Sequence, residues 1–178
     1  DIRKYELPTF LASAKTDRTF YLKGQDAEVV ISAEYLFGKP VLGAVVRVEH
    51  SDTYQQPRLV ARGIANPGGQ FKLRVSTAPL HAQLADNRDL RFTDGYYTVS
   101  ITDPTTRRTE SAGFAVRATT QGLHLNWIAG RHKGFGYVSA TLADGSPAEC
   151  AITIVEEEGA TQTVTTNRYG LARVTFKD

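Results

Sequence analysis

The chain has 178 residues, 41% of them apolar and 22% charged, with 21 basic against 19 acidic side chains and a net charge of +2. That balance lacks the concentrated positive charge a nucleic acid or anionic membrane surface demands, and no run approaches the roughly 18 apolar residues that cross a bilayer. Eight Tyr, eight Phe and one Trp without a single Met favour β cores, where aromatic and β-branched side chains pack on a pleated face.

Taken in chain order, residues 1–10 read as the last strand and linker of a preceding module. Ile2, Tyr5 and Leu7 supply the strand and Pro8 the exit. A complete module is expected over residues 11–117. Its first clear strand runs from Ala27 to Phe37, where Ala27, Val29, Ile31, Ala33, Tyr35 and Phe37 alternate with Glu28, Val30, Ser32, Glu34 and Leu36. Period two puts one face on a core and the other largely in water. Gly38-Lys39-Pro40 turns the chain back through Val41–Glu49. A polar connection, His50–Pro57, leads to a strand at Arg58–Ala65, and Pro67-Gly68-Gly69 turns into Gln70–Val75. Residues 79–94 break the pattern and fit either a loop or a helical turn. Asp94-Gly95 reads as a turn into the strand Tyr96–Thr102, in which one of Tyr96 and Tyr97 must face inward and the other outward. Asp103-Pro104 turns again, and Glu110–Arg117 closes the module.

A second module is expected over 118–178, with strands near Leu123–Ile128, Tyr137–Leu142, Ala151–Val155, Gln162–Thr166 and Leu171–Phe176. It repeats two phrases of the first. Gly38-Lys39-Pro40-Val41 opening into Val45–Val48 is echoed by Gly145-Ser146-Pro147-Ala148 opening into Ala151–Val155. Asn66-Pro67-Gly68-Gly69-Gln70-Phe71 is echoed by Asn167-Arg168-Tyr169-Gly170-Leu171-Ala172. Pro147 follows Pro40 by 107 residues and Asn167 follows Asn66 by 101, the mark of one β unit used twice. Only two residues follow Phe176, so the second module is expected to lack its closing strands and to be the less stable, or to borrow a strand from a neighbour. The absence of Met and of a signal-like leader reads as a piece of a longer polypeptide. Turn signals every 8–12 residues without a helical period mean an all-β sandwich.

No residues announce chemistry. The one cysteine, Cys150, excludes an intrachain disulfide and reads as a small core residue; nothing near it in sequence would activate a thiolate. His50, His81, His124 and His132 lack the spacing of a zinc site. Asp86, Asp89 and Asp94 share one segment and offer oxygen ligands for calcium, or caps for turns, without an EF-hand pattern. Glu156-Glu157-Glu158 reads as a solvated strand end. Arg107-Arg108 and Arg131-His132-Lys133 read as basic turns. Gly134-Phe135-Gly136 lacks the third glycine and helix of a phosphate loop. No Asn sits in a glycosylation context. Trp127 and Tyr137 read as a core Trp and its neighbour, or as an aromatic platform for a ligand. No catalytic, cofactor-binding or metal-binding residue is therefore assigned, and no cofactor.

The phrases Lys4-Tyr5-Glu6-Leu7-Pro8-Thr9-Phe10, Tyr35-Leu36-Phe37-Gly38-Lys39-Pro40-Val41 and Asp144-Gly145-Ser146-Pro147 with Asn167-Arg168-Tyr169-Gly170-Leu171-Ala172 resemble the macroglobulin-like domains of the alpha-2-macroglobulin and complement family. The resemblance implies tandem immunoglobulin- or fibronectin-III-like sandwiches of seven strands. It implies a scaffold and interaction module without catalysis, from an extracellular or periplasmic parent that traps proteases or serves envelope defence, and the lack of disulfides points to a bacterial member. The partners implied are neighbouring domains of the parent and, through the whole parent, proteases. The Gly-Cys-Gly-Glu-Gln context of that family's thioester is not found around Cys150. The competing reading is a carbohydrate- or surface-binding adhesin built of sandwich repeats.

Overall fold

The computed structural model describes residues 9–51, 56–87, 89–131, 134–156 and 159–176. The chain divides into two compact units, the first ending at Ala118 and the second beginning at Thr119. The first contains strands β1 (Phe10–Thr16), β2 (Ala27–Tyr35), β3 (Val45–Ser51), β4 (Arg58–Ile64) and β5 (Gln70–Val75), helix α1 (Ala78–Asp86), and the long strands β6 (Phe92–Thr102) and β7 (Thr109–Thr119). They form a three-stranded sheet, β1-β2-β5, and a four-stranded sheet, β4-β3-β6-β7. Inward residues of both meet in one core: Phe10, Val29, Ile31 and Val75 from one sheet, and Val46, Val48, Tyr97, Val99, Ile101 and Val116 from the other. Facing antiparallel sheets that bury one side each are the β-sandwich solution.

Alternation explains the individual strands. In β2 the residues Ala27, Val29, Ile31 and Ala33 are buried while Glu28 and Glu34 are exposed. Tyr97 turns inward and Tyr96 outward. Phe71 lies opposite Ile31, on the core face of its sheet.

Three sequence expectations change. The segment left open between loop and helix forms α1, with Pro79 in its first turn and Leu80 and Leu84 buried one helical turn apart. A nine-residue helix is marginal alone, so its packing into the sandwich core stabilises it. Thr77 makes no side-chain cap; its hydroxyl instead donates to the Gln25 carbonyl at 2.5 Å and ties the helix start to the Lys23–Gln25 turn. Asp94-Gly95 is not a turn but part of β6: Gly95 is buried with Leu80 packed over it, and Asp94 is fixed from β7 by Arg117. Phe10, placed by sequence in the linker, begins β1 and is buried completely. The remainder of the leading phrase, His132-Lys133 and Glu157-Glu158 lie outside the described residues.

The second unit contains β8 (Leu123–Ala129), β9 (Phe135–Leu142), β10 (Ala151–Val155), β11 (Thr161–Thr165) and β12 (Leu171–Thr175). Its sheets are β12-β9-β8 and β10-β11. These reproduce β5-β2-β1 and β3-β4 strand for strand, and the hydrogen bonds repeat with them. The isolated bridge Glu34–Pro40 recurs as Thr141–Pro147. Val41 N–H donates to the Ala33 carbonyl as Ala148 N–H does to Ala140. Ala65 N–H donates to Ala44 as Thr166 N–H does to Cys150. The second unit has its own small core, built on Val138, Ala140, Ile152, Ala172 and Val174. Among the described residues, β6 and β7 have no counterpart in it.

Candidate functional site

Polar groups in the first unit are used to fix the sandwich. Tyr35 on β2 donates its hydroxyl to Asp103 Oδ2 at 2.9 Å, linking one sheet to the end of a strand of the other. The same carboxylate accepts from Thr105 N–H and the Thr106 hydroxyl, both at 2.8 Å. Burial pushes the Asp103 carboxyl up, but these three donors outweigh it and hold it below 3.8. Tyr21, completely buried, donates to Asp17 Oδ1 at 2.7 Å. Burial, and then that carboxylate, push its phenol up from 10.0 to about 12. The Tyr21 hydroxyl in turn lowers Asp17. Arg117 forms a two-pronged pair with Asp94, both bonds 2.8 Å, and its guanidinium lies 3.9 Å above the Phe92 ring centroid. In each case the charge or hydroxyl is consumed by a structural partner.

The sequence candidates disperse. Asp94 is held by Arg117, and among the described residues no three His, Cys, Asp or Glu side chains converge as metal ligands. His50 packs edge-on against Tyr97, with centroids 5.1 Å apart. His81 borders a groove of about 440 Å³ beside α1, lined also by Lys23, Asp26, Thr77, Ala82 and Ala85. The Thr77 hydroxyl in that lining donates to the Gln25 carbonyl. Cys150 is half-buried at the rim of the second core, where its own N–H bonds Thr166 Oγ1 at 2.8 Å and its Sγ lies 3.8 Å from the same oxygen. No base faces it. Trp127 and Tyr137 point to opposite faces of their sheet, because Trp127 pairs with Val138 and Tyr137 with Ile128. They cannot form one platform. Trp127 meets Phe176 edge-on at 5.6 Å, and Tyr137 meets Phe135 at 6.0 Å.

What the fold leaves outside is apolar surface. At the tip of the first unit the β2–β3 turn exposes Leu36, Phe37 and Leu42, with Phe37 71% exposed and stacked on Tyr35 at 5.3 Å. The alternation that makes Phe37 an inward residue by sequence ends at Tyr35, where the turn begins. The second unit exposes Leu123, Leu125 and Trp127 along β8. Surfaces of this kind mark contacts with other protein.

Residues 4–84 match the family model of macroglobulin domain MG3. This part of the chain resembles a macroglobulin domain. Two solved structures are similar over nearly the whole length. The native conformation of Escherichia coli alpha-2-macroglobulin matches with a TM-score of 0.51 and 8% identity, over 97% of this chain and 15% of that one. A mutant Salmonella alpha-2-macroglobulin matches with a TM-score of 0.51 and 8% identity, over 98% of this chain and 16% of that one. At such identity the likeness is one of fold. The chain thus spans about one sixth of the length of the structures it resembles. No curated protein matches the sequence. The fold is all-β, with strands arranged as in the alpha-2-macroglobulin structures it resembles.

Proposed function

We propose that the chain is a non-catalytic scaffold and interaction module of an alpha-2-macroglobulin-like protein. The observation that carries this reading is the macroglobulin match over 4–84, joined to a second unit that repeats the strand order and turn hydrogen bonds of the first. Two units of one design give spacing and surface, whereas chemistry needs a converging site. Every strongly held polar group named above is spent inside a sandwich. In this reading the apolar tip at Leu36, Phe37 and Leu42 contacts neighbouring domains of the parent.

The parent is proposed to be a protease-trapping, extracellular or periplasmic protein of bacterial origin, in line with the sources of the two similar structures. Among the described residues no helix is long and apolar enough to cross a membrane. The test is an assay of the chain alone against serine, cysteine and metalloproteases. A scaffold leaves their activity unchanged and hydrolyses no peptide itself. Stoichiometric inhibition by the chain alone, or turnover of a peptide, would overturn the reading. The exposed Phe37, stacked on Tyr35, serves the adhesin alternative, since sugars pack on aromatic faces. Saturable binding of a glycan that is lost in Phe37→Ala would favour that alternative.

A further inference from the structure

The two units build one turn from different residues. In the first, Tyr35 N–H donates to the Lys39 carbonyl and Gly38 N–H to that of Tyr35; in the second, Leu142 N–H donates to Ser146 and Gly145 N–H to Leu142. Gly38 sits at φ +85° and Gly145 at +87°. Leu36, Phe37 and Lys39 therefore occupy the places of Ala143, Asp144 and Ser146. Asp144 serves its turn, since Oδ1 accepts from the N–H and the hydroxyl of Ser146 at 2.9 and 2.6 Å. Leu36 and Phe37 have no polar side-chain atom to do the same, and they are exposed by 62% and 71%. Leu42, 63% exposed, lies where the second unit has Glu149, and Ile64, 67% exposed, where it has Thr165. One design closes this end with polar residues in one unit and with four apolar ones in the other, so the turn itself does not demand them.

Cations gather at the same end. Val45, at the start of β3, lies opposite both Ile64 at the end of β4 and Thr102 at the end of β6. The β6–β7 turn therefore sits beside the β2–β3 turn. Tyr35 donates across to Asp103, and a Cβ at Gly43 would stand 3.7 Å from Pro104 Cγ. The β6–β7 turn carries exposed Arg107 and Arg108, and the β2–β3 turn carries exposed Lys39. Arg107 is fixed at φ +58°, where its N–H donates to the Asp103 carbonyl. Of the carboxylates nearby, Asp103 is buried beneath three donors and Glu110 accepts from Thr9 N–H. Glu34 is exposed beside Gly38. The near-balanced charge of the whole chain, +2, conceals this grouping, because Lys39 and Arg107-Arg108 are far apart in sequence.

We propose that this end docks on an anionic phospholipid surface whenever no neighbouring domain covers it, a function beyond the scaffold reading. Leu36, Phe37 and Leu42 enter the boundary between headgroups and acyl chains, while Lys39, Arg107 and Arg108 stay among the lipid phosphates. The apolar side chains gain by leaving water. The cations gain by lying within a Debye length of negative headgroups. Apolar residues alone would suit any greasy partner; the cations flanking them select an anionic one. Such a contact is peripheral and needs no spanning segment.

The test is cosedimentation of the chain with vesicles of phosphatidylcholine alone and of phosphatidylcholine with about one third phosphatidylglycerol. Binding to the anionic vesicles is expected to be about tenfold or more tighter than to the neutral ones, and to weaken as salt is raised. The decisive variant gives the first turn the residues of the second: Leu36→Ala, Phe37→Asp and Lys39→Ser together. Those residues already close the same turn at 142–146, so the variant should keep its dichroism spectrum and lose about tenfold or more of the binding. Lys39→Glu alone, which leaves the apolar turn intact, should weaken binding to anionic vesicles only, and it keeps the proposal testable if the triple variant misfolds. No binding to anionic vesicles, equal binding to both kinds, or full binding by the folded triple variant would each overturn the proposal. Trp127, the single tryptophan of the chain, reports on the second unit. A blue shift of its emission on vesicles, retained in the triple variant, would move the contact there and overturn the proposal likewise. These outcomes leave the scaffold reading, tested by the protease assay, where it stands.

Discussion

Asn66 and Asn167 hold equivalent turns a hundred residues apart. Asn66 Oδ1 accepts from Gly68 N–H at 2.9 Å and Gln70 N–H at 3.0 Å; Asn167 Oδ1 accepts from Tyr169 N–H at 2.9 Å and Leu171 N–H at 3.2 Å. The glycine that follows sits at φ +72° in the first turn and +71° in the second. A Cβ at Gly69 would stand 2.6 Å from the Ala33 carbonyl oxygen and 2.8 Å from Pro40. Gly24 has φ +85° but open space around it. Gly24→Ala should therefore cost only the left-handed backbone, about 1–2 kcal/mol, and Gly69→Ala should cost clearly more, because it adds the clash. Equal melting losses would show that the Pro40 turn yields.

The part-buried hydroxyl–carboxylate pairs predict a pH profile at the same scale. Asp17 and Asp103 are lowered from 3.8. The stability they contribute is complete above about pH 4 and is lost as pH falls through their folded values. Tyr21 is raised from 10.0 to about 12. Its contribution is complete below pH 10 and is lost as pH rises toward 12. Melting temperature measured across this range should fall at both ends, and Tyr21→Phe should flatten the alkaline limb. An unchanged limb would assign it to Tyr97 and Tyr35, which are also raised.

Among the elements, β2 was the most legible from sequence, since apart from Val30 its polar and apolar residues alternate up to Glu34. The same rule required one of Tyr96 and Tyr97 to face inward, and the structure selects Tyr97. Helix α1 was not legible, because nine residues offer only Leu80 and Leu84 as inward positions and the tie from Thr77 to Gln25 is tertiary. Tyr21 was missed for a similar reason. Its neighbours are polar, and it is buried through the bridge to Ala118 and the bond to Asp17, neither of which is local. The half-exposure of Trp127 departs from its sequence reading as a core residue. Phe71→Ala, on the core face of β5 but only partly buried, should lower stability by about 3 kcal/mol. Arg117→Ala should cost about 1–3 kcal/mol by leaving the half-buried Asp94 carboxylate without its fork, and Arg117→Lys should recover only part, since an ammonium cannot make both bonds. Full recovery in Arg117→Lys would mean that charge alone fastens β7 to β6.

For the molecule as a whole, the two units share one strand design, and β6 and β7 of the first have no counterpart among the described residues of the second. Among the described residues the core of the first gathers residues from seven strands and a helix, and that of the second draws on four strands. Stability scales with apolar area removed from water, so the second unit should open first. The most direct measurement is urea unfolding followed by Trp127 emission, which reports only the second unit, and by far-ultraviolet circular dichroism, which reports both. The Trp127 transition is predicted to come at lower urea than the main dichroic one, with Val138→Ala moving the former and Phe71→Ala the latter. Coincident transitions, both shifted by either substitution, would contradict the reading of two self-contained units, the second with the smaller core.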